Sequence, residues 1–191
     1  MNFWGGAATL SLTLCLSCLV SAQTDYRQER RYVLTMVGQS YPILGAEDTR
    51  QAWGLAFGVE RIQKQLRFRD IPGRLSLEAY FLDSSSKGED IHPPNRSAMF
   101  GMVGIARWEG HSRAGLRGYL GIGWGLQVVD RELVDLSTPV NSTPILELGG
   151  RYTAGRSDIT LALRWLHASN AGLRGNNQGL NFIMLIASAS F

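Results

Sequence analysis

The sequence predicts an all-β chain folded as an eight-stranded antiparallel up-and-down transmembrane β-barrel. Three observations carry that reading. Eight segments alternate apolar with small or polar residues, the connections between them alternate in length, and no long uniformly apolar run follows residue 22 to serve as a helical membrane span. The composition agrees: 22 Gly, 45% hydrophobic and only 18% charged residues suit strands and turns, and 191 residues make one domain rather than two.

Residues 1–22 read as a secretory signal peptide, with an apolar run from Ala7 to Val20 and the small residues Ser21 and Ala22 before Gln23. That run is shorter than the ~20 apolar residues a spanning helix needs. The expected mature chain, 23–191, is then a single barrel domain. Cys15 and Cys18 both fall in the leader, so neither a disulfide nor thiolate chemistry is expected. Residues 1–22 contain no Asp, Glu, Lys or Arg, so their removal leaves the formal charge of +3 unchanged, too small an excess to imply a nucleic-acid partner.

After a polar stretch through Arg31, the strand segments fall near 31–40, 51–62, 73–83, 97–109, 115–129, 143–153, 157–168 and 180–191. In the second, Trp53, Leu55, Phe57 and Val59 share one face, and Ala52, Gly54, Ala56, Gly58 and Glu60 share the other. The fifth sets Leu116, Leu120, Ile122, Trp124, Leu126 and Val128 against Arg117, Tyr119, Gly121, Gly123, Gly125 and Gln127. Small inward residues fit the narrow interior of an eight-stranded barrel. No helix follows Gly121-x-Gly123-x-Gly125, which argues against a phosphate cradle. In the sixth segment Glu147 and Arg151 lie on the polar parity, and a hairpin around Gly155 brings Glu147 near Arg164; lumenal ion pairs are expected for both.

The second, fourth and sixth links, near Gln63–Pro72, Gly110–Ala114 and Ala154–Arg156, are shorter on average than Tyr41–Arg50, Ser84–Arg96, Asp130–Ser142 and Asn170–Gly179. Short periplasmic turns and long extracellular loops are the habit of outer-membrane barrels, although Gln63–Pro72 is long for such a turn. The last segment places Ile183, Leu185, Ala187, Ala189 and the terminal Phe191 on one parity, and so resembles the C-terminal signal of bacterial outer-membrane barrels. In a soluble exported β-sandwich or lipocalin-like binder, the same apolar faces would be core.

Chemistry concentrates at the end of the seventh segment. Ile159, Leu161, Leu163, Trp165, His167 and Ser169 share the apolar parity, opposite Asp158, Thr160, Ala162, Arg164, Leu166 and Ala168. Residues two apart on a strand point the same way, their Cα atoms ~6.5 Å apart, so His167 can serve Ser169 as a base. Both continue a lipid-facing stripe at the outer end of an outward-running strand, at the depth of glycolipid acyl esters. His92 and His111 fall in links and read as surface residues; with three His and no mature Cys, no metal cluster and no cofactor is expected.

His167-Ala-Ser169-Asn170-Ala-Gly172, followed by Asn177-x-Gly179-x-Asn181 and a final strand, resembles the lipid A 3-O-deacylase family of outer-membrane barrels over about the last third of the mature chain. The resemblance implies hydrolysis of the ester-linked acyl chain at the 3-position of lipid A, with lipopolysaccharide as substrate and the outer membrane as solvent. It assigns Ser169 as nucleophile, His167 as base and the backbone amides near Asn170 and Gly172 as oxyanion donors. Asn181 stands where the family places a glutamate to orient the histidine. An Asn carbonyl accepts the imidazole N–H but adds no charge. A catalytically degraded barrel with a structural or lipid-binding role is therefore the alternative. The acyl preference, a homodimeric partner and a contact of Arg174 with lipid phosphate stay open.

Overall fold

The computed structural model describes residues 29–86, 95–175 and 177–191. The expected signal peptide, His92 and part of the third link lie outside them. Nine strands follow in chain order: β1 (Glu29–Ser40), β2 (Arg50–Phe68), β3 (Ile71–Ser86), β4 (Asn95–Glu109), β5 (Leu116–Val129), β6 (Val140–Ser142), β7 (Ile145–Ala154), β8 (Ser157–Ala168) and β9 (Leu180–Ser190). Every pairing is antiparallel, each strand pairs with its sequence neighbours except that β7 as well as β6 pairs with β5, and β1 pairs with β9 to close the ring.

The ring has eight staves, because β6 and β7 are one interrupted strand. Both pair with β5, and Thr143 carries the ladder between them by exchanging backbone bonds with Gly125 at 2.9 and 3.1 Å. Pro144 has no N–H to donate, which breaks the strand there. The sixth segment thus begins at Val140, three residues before its expected start. The predicted eight-stranded antiparallel barrel is what the chain builds.

The Gln63–Pro72 link is mostly strand. β2 runs on to Phe68 and pairs with β3 past a register shift between Gln63 and Arg67, leaving Arg69-Asp70 as the turn, with Arg69 at φ 55°. The polar run Gln63-Lys64-Gln65 and the irregularity hide the strand period. With that correction, all three turns at one end are short, whereas residues 41–49, 130–139, 170–175 and 177–179 lie in loops at the other end.

The apolar parity faces outward. Trp53, Leu55, Leu161 and Leu163 are each at least half exposed, whereas Arg164 and Glu78 on the opposite parity are fully buried. A closed barrel with an apolar exterior and an ionic interior is the form that spans a membrane, since no backbone edge is left unpaired. The soluble sandwich, which would bury the apolar parity, is excluded by this arrangement.

Inside, small residues leave room for a charge network. Arg164 binds Glu147 at 2.7 Å and Glu78 at 2.8 Å, and Arg107 binds Glu78 at 2.6 Å and Glu147 at 3.0 Å. Glu147 is the cross-strand partner of Arg164, as the hairpin expectation requires. Arg151 instead engages Glu60 through two bonds of 2.6 and 2.9 Å. At the loop end the lattice continues past the named strands: His167 donates its backbone N–H to Pro144 O, and Ser142 and Ser169 form an isolated bridge.

Candidate active site

His167 lies part-exposed at the loop-end terminus of β8, on the outward parity. Ser169 lies just past the end of that strand, buried rather than continuing the lipid-facing stripe that alternation predicts, because the regular strand ends at Ala168. The neighbour of β8 across the ladder is β9, and the register sets His167 directly opposite Asn181. His167 Nδ1 and Asn181 Oδ1 are 2.9 Å apart. The histidine and the asparagine that the sequence singled out are therefore brought together, across 14 residues, by strand pairing alone.

The imidazole is held on both sides. Trp165, two residues earlier on the same face, stacks on it with ring centroids 5.9 Å apart and 24° between planes. Gly179 abuts the ring edge: a Cβ there would lie 2.5 Å from His167 Cε1 and 3.1 Å from Nε2. Its φ of +76° is a left-handed conformation that favours glycine.

Ser169 is buried. Its backbone is fixed by Ser142, whose N–H and hydroxyl both donate to Ser169 O, at 2.7 and 3.0 Å. Among the described residues its hydroxyl makes no hydrogen bond to His167; in unliganded enzymes, catalytic hydrogen bonds commonly tighten only around substrate.

The two amides expected at the oxyanion are engaged within their own loop. Asn170 N–H donates to Asn177 Oδ1 at 2.7 Å, and Gly172 N–H to Asn170 Oδ1 at 2.9 Å. Ala171 and Gly172 both take positive φ, so this is a tight turn directly after the serine. Arg174 contributes its carbonyl, which accepts from Ser137 Oγ at 2.7 Å, and its side chain is exposed. His111 and Ser112 are exposed at the turn end, remote from this loop cluster.

Three loops converge here. Asp135 Oδ2 accepts the backbone N–H groups of Glu47 and Asp48 at 3.0 and 2.7 Å, while Asp135 O accepts that of Gly179 at 3.0 Å. The carboxyl lies outside the spanning strands and is held above its usual range by burial, with the nearby Asp48 and Glu47 charges adding to the shift. Asn181 Nδ2 donates to Ile43 O at 2.7 Å, tying the first loop to the histidine's partner. Neither contact was legible in the sequence, since one partner is a backbone carbonyl and the other an ordinary-looking loop aspartate. Among the described residues, no group of His, Cys, Asp or Glu is arranged to hold a metal.

Beside the site, a groove of about 820 Å³ on the outward face is lined by Val37, Gln39, Tyr41, Trp53, Arg96 and Ile183, among others. Ile183 pairs with Trp165, so the groove starts one strand from His167. Asp83 organises its far end, accepting from Trp53 Nε1 at 3.1 Å and from Arg96 Nε at 2.8 Å.

The family described as Lipid A 3-O-deacylase (PagL) matches residues 44–190 of this sequence, well over half of the chain. The chain belongs to that family. Among solved structures, the outer membrane enzyme PagL is similar with a TM-score of 0.61 at 13% identity, covering 82% of this chain and 97% of that one. Neisserial surface protein A gives 0.57 at 10% identity, covering 85% and 95%. At such identities these likenesses speak for the fold, an outer-membrane barrel. No curated protein sequence matches the chain.

Proposed function

We propose that this protein is an outer-membrane serine esterase that removes the acyl chain ester-linked at the 3-position of lipid A. The observation that carries the reading is the 2.9 Å contact between His167 Nδ1 and Asn181 Oδ1, with a buried serine two residues on, just past the end of β8. Membership of the lipid A 3-O-deacylase family supplies the substrate class.

In this scheme Ser169 Oγ attacks the ester carbonyl while His167 Nε2 takes its proton. Collapse of the tetrahedral intermediate expels the sugar 3-oxygen, which receives that proton. Water then attacks the acyl-serine with the same base, releasing a fatty acid and restoring the hydroxyl. The Asn170 and Gly172 amides serve the oxyanion by exchanging their neutral Asn acceptors for the charged oxygen, a stronger acceptor. Residues 1–22 act as the export signal, and no cofactor takes part.

Mass spectrometry of lipid A from outer membranes carrying the protein is the test. Loss of one 3-linked acyl chain, abolished by Ser169→Ala, is the expected result. Intact lipid A beside a folded native barrel would sink the proposal and leave the degraded barrel, a reading favoured by the neutral Asn181 and by the two occupied amides.

A further inference from the structure

Asn181 is completely buried, and each end of its amide meets a group that restricts it. One end faces Ile43 O at 2.7 Å and the other faces His167 Nδ1 at 2.9 Å. A carbonyl oxygen only accepts, so the amide end turned toward Ile43 must be the NH2 group. That leaves Oδ1, which also only accepts, facing the imidazole. His167 must then carry its proton on Nδ1, and Nε2 keeps the free lone pair.

We infer that the Ile43 carbonyl is a positioning group of this site: through Asn181 it fixes His167 as the Nδ1–H tautomer and makes an uncharged residue the fitting partner for the base. The inference rests on the proposed role of His167 as base. It gives a physical reason for the departure from glutamate. In a serine protease, replacing the orienting Asp by Asn costs about 10⁴ in kcat because the histidine adopts the wrong tautomer. Here the amide cannot present its NH2 to the ring without setting its own oxygen against the Ile43 oxygen, so that failure is closed off. What is forgone is the charge that would stabilise imidazolium.

The carbonyl is itself immobilised. Ile43 O also accepts the Ala46 N–H at 3.2 Å, and Tyr41 N–H donates to Asn181 O at 2.9 Å, so loop and strand are joined at two points. Leu44 and Gly45, both at positive φ, form the tight turn between Ile43 and Ala46. Beyond the turn, Asp135 grips the Glu47 and Asp48 amides. A carboxylate at position 181 would place an anionic oxygen about where Nδ2 stands, in repulsive contact with a carbonyl that has nowhere to move. Restoring the family's acidic residue type at this position should therefore harm the enzyme.

The test uses the full-length folded barrel. Nitrogen-15 NMR of the imidazole reads the tautomer directly in the native protein, and the rate of Ser169 modification by a fluorophosphonate reads nucleophile activation without any lipid. Nδ1–H in the native protein, a mixture in Asn181→Ala, and labelling slowed about 10²-fold or more in both Asn181→Ala and Asn181→Asp are expected. Nε2–H in the native protein overturns the inference whatever the variants do. So does faster labelling of Asn181→Asp or Asn181→Glu at neutral pH, because a carboxylate would then be the better partner. A heat-modifiable gel shift identifies variants that fail to fold, and the native tautomer decides if all of them do. Nδ1–H and labelling at Ser169 with lipid A left untrimmed would fail the lipid A reading alone; trimmed lipid A with an Nε2–H histidine would fail this inference alone.

Discussion

The position a Cβ would take on Gly179 lies 2.5 Å from Cε1 of His167 and 2.8 Å from Ala168 O. The backbone at Gly179, at φ +76°, is itself unfavourable to side chains, costing roughly 1–2 kcal/mol for an L-residue. Gly179→Ala must therefore push the imidazole off its seat or open the loop. Since a displacement of about 1 Å can cost on the order of 10² in rate, fluorophosphonate labelling of Ser169 is expected to fall by about that factor while the barrel stays folded. Native-rate labelling of Gly179→Ala would show that the ring is not held there.

Inside the barrel, Arg164 satisfies two carboxylates that are themselves buried, Glu78 and Glu147. Arg164→Met leaves them with Arg107 as their shared cation, and removing one partner from a buried ionic cluster typically costs about 3–5 kcal/mol. A large drop in the urea midpoint of refolding into bilayers is expected. Adding Glu147→Gln should recover part of the loss, since the two sites share one network. Equal midpoints for Arg164→Met and the native protein would make the network energetically idle.

The spacing rules that predict strands also explain which contacts were visible beforehand. A hairpin around Gly155 put Glu147 beside Arg164, and alternation placed Arg164 on the inward parity, because a tight turn and a period of two need only local sequence. The family resemblance aligned Asn181 with the position of a histidine-orienting residue, and the register sets it opposite His167. The extension of β2 to Phe68 was hidden because Lys64 and Gln65 interrupt the apolar period outside the apolar belt, where nothing requires alternation. Ile43 O and the Asp135 clasp were invisible for a different reason. They depend on how loops far apart in sequence close over the rim, and a backbone acceptor leaves no trace in residue identity.

The outward apolar band gives a depth-dependent prediction. Leu161, near the middle of β8, is more than half exposed, and Ile159 lies two residues nearer the turn end. An arginine at the bilayer midplane costs about 2–4 kcal/mol, falling to about 0–1 near the interface. Leu161→Arg should therefore destabilise the refolded barrel clearly more than Ile159→Arg. If both substitutions were neutral, as on a water-exposed surface, the band would not face lipid.

Asp135 supplies a pH dependence at the loops. Burial holds its carboxyl above the usual aspartate range, so between the unfolded and folded values the closed loops bind a proton that the open loops release. The clasp is then tightest below the ordinary aspartate pKa and weakens as pH rises through the raised folded value, where an anion whose buried Oδ1 has no hydrogen-bond partner among the described residues must be accommodated. Asp135→Asn keeps an oxygen acceptor for the Glu47 and Asp48 amides and removes the charge. Hydrogen exchange at those two amides is the measurement. In the native protein their protection, corrected for intrinsic exchange, should decline with rising pH across that window, whereas in Asp135→Asn it should stay level and exceed the native value at neutral pH. Protection that instead rises with pH in the native chain would mean the ionised carboxylate is the stronger clasp, the two amide bonds outweighing its burial.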